Sequence, residues 1–343
     1  MASRASSLTL HLCTLLLACT AQAATPSLHE DRFQADAQTL TRVTLQDADG
    51  PPIRYTLSTP ARKAPLVLMI QGSGCVPNFM GVGTPEAKAT IPGWKIIASQ
   101  GRYAVMAVDK PWQSDAPQQG PWGAAIGCGD AFIQHFSYDS WLATLKRALR
   151  HALSRPEVDA RRVLVIGVSE GAQMAASLAH EFPEVGEVAL VSGGGPTQLF
   201  DFAAEIHRGS GSDDDKLKRL QELDASFRDI AADPSSTGKF FMGHPYLRWS
   251  SFLKHSQAVE LAQTKARVYM VNGMQDSSVP ILAAEMLYAV LRVQGRDVSF
   301  RRVPRAGHSL VEDSLPLEDK RKAQQAEYDA IIAWFERRPG ATP

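Results

Sequence analysis

The chain has 343 residues, 44% of them hydrophobic and 21% charged, an ordinary globular balance with enough apolar side chains for a large core. Lys and Arg together number 36, as do Asp and Glu, so the formal net charge is zero and nothing in the charge balance suggests attraction to nucleic acid or anionic lipid. One α/β domain carrying an insertion accounts for this length better than two separate domains.

The N-terminus reads as a targeting segment. Arg4 supplies a positive region, Leu8 to Ala18 a short apolar stretch, and Ala21-Gln22-Ala23 a small-x-small cleavage site. The apolar run is too short to span a membrane, so residues 1–23 are expected to be a secretory signal. Leu16-Leu17-Ala18-Cys19 also fits a lipobox, which would leave Cys19 lipidated and the protein anchored. Both routes export the chain, to the periplasm or beyond. After cleavage Cys75 and Cys128 remain, and two cysteines in an oxidising compartment commonly pair. A Cys75–Cys128 disulfide is expected, with two buried free thiols as the alternative.

Residues 24–40 show no clear period and read as an extended leader. Arg42 to Gln46 and Ile53 to Ser58 alternate apolar and polar side chains around a Gly/Pro-punctuated turn, a hairpin pattern. Pro65 to Ile70 is a continuous apolar run, as in a strand buried on both faces, and leads into Gln71-Gly72-Ser73-Gly74. A helix over Pro92 to Ser99 and a buried strand over Tyr103 to Asp109 follow, then a Gly- and Pro-rich loop holding Trp112 and Trp122. Trp141 to Leu153 has helical periodicity. A second set of strands is expected at Val163 to Val168, Val188 to Val191, Val268 to Val271 and Val298 to Val303. Helices are expected after the elbow at residue 169, over Ile281 to Val293, and over Gln324 to Arg337. Residues 197–262 break the strand–helix alternation with mostly helical, charged sequence. Alternating strands and helices imply a mostly parallel, twisted sheet covered on both faces. Gly193-Gly194-Gly195 lacks the Gly-x-Gly-x-x-Gly spacing of a dinucleotide site.

One stretch points to chemistry. Val163 to Ile166 run into Gly167-Val168-Ser169-Glu170-Gly171, and a small-residue helix pattern follows. Such a turn strains its apex residue and admits only very small residues beside it, leaving the Ser169 hydroxyl exposed above the sheet. The bland alternative is a serine capping an ordinary strand-to-helix turn. With this elbow the chain resembles the α/β-hydrolase family over most of residues 40–338. The resemblance implies an α/β-hydrolase core over 41–196 and 263–338, and a mainly helical cap over 197–262.

A serine hydroxyl is a poor nucleophile near neutral pH and needs a base, which in turn needs an orienting partner. In the family these follow the nucleophile in chain order, on loops after later strands. Val271 to Pro280 resembles the acid loop, making Asp276 the orienting carboxylate; the alternative is a turn residue or helix cap. Arg302 to Leu310 follows the last strand, making His308 the general base; the alternative is a loop histidine without a role. Backbone N–H groups of Glu170 and of Ser73, with Gly74 second, are expected to form the oxyanion hole, although Gln71 departs from the more usual histidine. The Glu170 side chain is expected to be a solvated or hydrogen-bonded bystander. Trp112, Trp122, Phe241 and Trp249 are candidates to line a substrate pocket, and Arg248 to bind a carboxylate or pair with a core acid. His180-Glu181 lacks a second histidine at helical spacing, so no zinc site, and no metal or cofactor, is implied. The resemblance implies an exported serine hydrolase cleaving a small ester, with a peptidase or acylaminoacyl-type enzyme as runner-up. With no propeller before the catalytic part, a large oligopeptidase is not expected. A non-catalytic envelope protein using the fold for binding is the alternative of a different class.

Overall fold

The computed structural model describes residues 27–46, 50–115 and 118–337. The signal segment, its cleavage site and Cys19 lie outside the described residues. In chain order the sheet strands are β1 (Ser27–Ala35), β2 (Gln38–Gln46), β3 (Ile53–Ser58) and β4 (Ala64–Ile70). Helix α1 (Trp94–Ala98) leads to β5 (Ala104–Val108), and α2 (Asp130–His135) and α3 (Tyr138–Leu153) lead to β6 (Val158–Val168). Then come α4 (Glu170–Glu181) and β7 (Val185–Val191). Helices α5 (Gln198–Arg208), α6 (Asp213–Ala232), α7 (Tyr246–Phe252) and α8 (Gln257–Ala262) separate β7 from β8 (Arg267–Gly273). The chain closes with α9 (Ile281–Val293), β9 (Val298–Val303) and α10 (Leu317–Glu336).

These nine strands form one sheet in the order β1-β2-β3-β5-β4-β6-β7-β8-β9. The first three are antiparallel, and β5 onward all run parallel. Parallel strands buried on both faces need apolar side chains at odd and even positions alike. In β4, Leu66, Leu68 and Ile70 enter one core, and Val67 and Met69 enter the other. Helices α3, α4 and α9 cover the first face; α1 and α10 cover the second.

The structure departs from the sequence expectations at two places. Residues 27–35 are not merely a leader: they pair in register with β2, from Ala35 opposite Gln38 to Ser27 opposite Gln46. Most β1 side chains are exposed, so no alternation marks the strand. Strand β6 begins at Val158, where Ala64 of β4 pairs with it, before the apolar run starts. Within the 197–262 segment, Phe252 of α7 and Ala258 and Leu261 of α8 pack in the same cluster as α4.

Candidate active site

Every parallel strand ends on one rim of the sheet, and the chemistry-bearing loops leave from there. At the end of β6, Ser169 has φ 55° and ψ −121°, a strained conformation for a residue with a side chain. Packing holds it there. A Cβ on Gly167 would lie 2.2 Å from the Gly171 carbonyl oxygen, and one on Gly171 would lie 2.4 Å from that of Ile70. The Ser169 N–H donates to Val191 (2.8 Å), which ties the elbow to the neighbouring strand. Although Ser169 occupies the N-cap position of α4, its side chain makes no capping hydrogen bond. The alternative role as a helix cap is therefore absent.

After β8 the chain turns at Asp276, which is 1% exposed. Its Oδ1 accepts from the N–H groups of Ser278 (2.8 Å) and Val279 (2.9 Å). Its Oδ2 accepts from His308 Nδ1 at 2.8 Å. Asp276 is thus both a turn residue and a partner of histidine; the two readings are the same geometry seen from its two oxygens. A neutral imidazole that donates from Nδ1 to a carboxylate keeps Nε2 free of a proton. His308 is partly open to solvent. Its carbonyl is held by the Ser192 hydroxyl at 2.7 Å, a tether not visible as a sequence motif.

The loop after β4 is held by its carbonyls. Lys110 Nζ donates to the Gly72 oxygen (2.7 Å), the Gly74 oxygen (2.9 Å) and Glu170 Oε1 (3.0 Å). Gln113 Nε2 donates to the carbonyls of Cys75 (3.1 Å) and Val76. In a trans peptide C=O and N–H point opposite ways. With the Gly72 carbonyl drawn towards Lys110, the Ser73 N–H faces away from it. Gly72 itself packs against Ser169: an added Cβ would sit 3.3 Å from Ser169 Cβ. A Cys75–Cys128 disulfide joins the loop to the segment carrying Trp122.

The Glu170 side chain is not solvated. It is fully buried between two cations, Lys110 and Arg248, the latter donating from Nε at 3.0 Å and also from Nη2. Burial raises its carboxyl pKa, but Arg248 and Lys110 together outweigh that and hold it down at about 2. Burial conversely lowers the pKa of Lys110, against the raising effect of Glu170. Of the two roles expected for Arg248, pairing with a core acid is the one observed. Its guanidinium also lies over Trp249 (4.1 Å) and Phe252 (4.3 Å). Lys110 and Gln113 escaped the sequence reading; the available signal was a lysine two residues past the buried strand β5.

Ser169 stands between two hollows. Ser73, Ser169, Trp122, Met242 and His308 line an open trough. Ser169, Arg248, Trp249, Asp201 and Gln257 line a cavity of about 300 Å³ reaching under the inserted helices. Two of the four candidate aromatics therefore share a hollow with Ser169, Trp122 the trough and Trp249 the cavity. The other two do not. Phe241 packs on Phe202, Phe227 and Trp249, within the insertion. Trp112 lies tilted against His135 and packs against the core. Of the two loop residues expected to offer a backbone N–H, Ser73 lines both hollows and Gly74 lines neither.

A family model described as the alpha/beta hydrolase family matches residues 90–319. Comparison with curated proteins gives no match. Among solved structures, the chain superposes on the acylaminoacyl peptidase of Pyrococcus horikoshii with a TM-score of 0.55 at 15% identity, covering 94% of this chain and 44% of that one. It spans less than half the length of that peptidase. Acetyl xylan esterase 1 from Thermoanaerobacterium sp. JW/SL YS485 gives 0.54 at 17% identity, covering 88% and 87%. An acetyl xylan esterase from Paenibacillus sp. R4 gives 0.55 at 19%, covering 89% of each chain. At these identities the likeness is one of fold.

Proposed function

The chain belongs to the α/β-hydrolase family, and on that premise we propose that it is a serine hydrolase acting on a small ester. Ser169 Oγ attacks the ester carbonyl while His308 Nε2 takes its proton, and Asp276 holds the imidazole by Nδ1. The N–H groups of Ser73 and Glu170 receive the oxyanion, and the +0.5-like charge at the start of α4 favours it. Collapse breaks the bond to the leaving oxygen, to which His308 returns the proton, giving a free alcohol and an acyl-Ser169. Water, deprotonated by His308, then attacks the acyl carbon and releases the carboxylic acid and the free serine. Lys110 acts as a positioning residue: one ammonium holds both the loop carrying Ser73 and the side chain of Glu170.

The observation that carries this reading is Ser169 itself, held at positive φ with its hydroxyl unused by the helix it precedes. The decisive experiment is reaction with a fluorophosphonate probe. Labelling of the wild type and its loss in Ser169→Ala are expected; persistent labelling of the variant would place the nucleophile elsewhere. No labelling at all would favour the non-catalytic alternative. A matched ester and anilide separate esterase from peptidase activity, with the ester expected to turn over faster. Residues 197–262 are proposed to act as a cap. The Cys75–Cys128 disulfide supports an oxidising compartment and hence export. Release after residue 23 is proposed over anchoring at Cys19, and incorporation of a labelled fatty acid would reverse that choice.

A further inference from the structure

The two hollows beside Ser169 differ in chemistry as well as in position. The cavity under α5 and α7 is walled mainly by polar side chains, among them Asp201, His244, Arg248 and Gln257. In the trough, apolar side chains form the larger part of the wall: Val76, Ile91, Pro92, Trp122, Ala124 and Met242. His308 lines the trough and not the cavity. A base that returns its proton to the departing oxygen must come within hydrogen-bond reach of it. On the serine-hydrolase reading, on which this inference rests, the alcohol half of the ester therefore lies in the trough.

Two of the trough's apolar side chains are held out to water. Trp122 is 71% exposed and Met242 is 65% exposed. Met242 sits at the tip of a hairpin that pairs Phe240–Phe241 with His244–Pro245, and its φ of 45° and that of Gly243, 77°, make the two-residue turn. Such a turn favours Asn or Gly at the position of Met242, so a long apolar side chain is carried there against the preference of the backbone. The hairpin is fastened to the segment that carries Trp122. The Ala125 N–H donates to the Gly243 carbonyl at 2.8 Å, and His244 Nε2 donates to the Gly123 carbonyl at 2.8 Å. The Cys75–Cys128 disulfide ties the same segment to the loop after β4. Both side chains are thus presented on anchored turns beside the trough that Ser169 and His308 share. We propose that Trp122 and Met242 are specificity-determining residues that cover the alcohol of the ester, and that this alcohol is apolar.

Exposed apolar side chains flanking a reactive group mark where the apolar part of a ligand is removed from water. That gain is non-directional, so it requires accessible apolar wall rather than an atom aimed at one position. Trp122 and Met242 supply such wall, and the polar cavity supplies less of it. The two halves of the ester therefore differ in what an added methylene gains. A methylene taken fully out of water is worth roughly fourfold in affinity, and an open trough that covers about half of it gives about twofold. Met242 also borders the cavity, whereas Trp122 belongs to the trough alone, which makes Trp122 the cleaner probe of the two.

The test compares hexyl acetate with its isomer ethyl hexanoate, in which the same added methylenes sit on the acyl side. Each kcat/KM is divided by the ester's own rate of hydrolysis by hydroxide, which removes intrinsic reactivity. The isomers are equally apolar overall, so a difference reports where the chain lies. The wild type is expected to favour hexyl acetate by at least about tenfold, the product of about twofold for each added methylene. In Trp122→Ala that preference is expected to fall to about threefold, and with Met242→Asn added, a residue suited to the turn, it is expected to vanish. Both side chains are exposed, so neither substitution opens a hole in the core. Equal or faster turnover of ethyl hexanoate by the wild type overturns the proposal, and so does a preference that survives the double substitution. Fluorophosphonate labelling of the same samples separates the two levels. Labelled wild type that hydrolyses both isomers equally, or neither, overturns the trough assignment alone, while unlabelled wild type overturns the hydrolase reading and the assignment with it.

Discussion

The rim of the sheet and the helices inserted beside it meet at one serine, yet they reach it by different means. On the rim, Ser169 follows its strand directly, and Asp276 and His308 lie three and five residues past the ends of theirs. The insertion contributes Arg248 and Asp201 from helices whose sequences carry no motif, and they reach the site by packing. The ion pairs behind the elbow make the same point: Glu170 joins Lys110 and Arg248 across sequence separations of 60 and 78 residues. The candidate catalytic groups lie close behind strand ends, while their supports are set by tertiary contacts.

That contrast can be broken most simply at the rim. Ser169→Ala is expected to cut kcat roughly 10⁴- to 10⁶-fold while leaving the melting temperature within a few degrees. A variant that keeps most of the proposed ester hydrolysis would remove the rim from the chemistry. Lys110→Met tests whether the buried support matters nearly as much. It is expected to lower kcat roughly 10²- to 10³-fold with little change in KM, as loss of an oriented oxyanion donor does. Equal losses in kcat and folded fraction would reduce Lys110 to a packing role.

Two smaller effects sharpen the comparison on the side of stability. Replacing both Cys75 and Cys128 by serine is expected to cost about 2–5 kcal/mol in denaturant unfolding. A cost indistinguishable from zero would show that Lys110 and Gln113 alone secure the loop. Glu170→Gln leaves two buried cations without their anion and is expected to cost about 3–5 kcal/mol near neutral pH. The Glu170 carboxyl is depressed in the folded state from its ordinary 4.5 to about 2, so its contribution is present above about 4.5 and lost as pH falls towards 2. The stability gap between wild type and variant should therefore narrow across that window. A gap independent of pH would mean that the charge of Glu170 contributes nothing.

The same division explains what the sequence disclosed. The parallel core was legible because strands buried on both faces must be runs of apolar residues, as in Pro65 to Ile70. The order of Ser169, Asp276 and His308 was legible because each lies just past such a run. Strand β1 was not, since Leu28 to Arg32 face solvent and leave no alternation to read. Helix α10 begins at Leu317, well before the apolar period becomes clear, because its first turns are largely exposed. Aromatic content marked Phe241 and Trp249 alike, and only packing distinguishes the ring that seats the insertion from the ring that meets the cavity. Glu170 looked like a bystander because a carboxylate beside an exposed serine gives no hint of two cations arriving from behind.

The lateral borders of the sheet have a consequence for crowding. Beyond β1 and β9 no further strand pairs among the described residues, so each border offers unsatisfied backbone groups to a passing chain. Both borders carry charge along their length: His29, Glu30, Asp31 and Arg32 on one side, Arg301 and Arg302 on the other. Arg155 clasps Glu30, and Glu327 and Glu285 clasp the two arginines, fixing those charges where a zippering neighbour would have to strip them of water. A protein fenced in this way can be concentrated without its sheets knitting together.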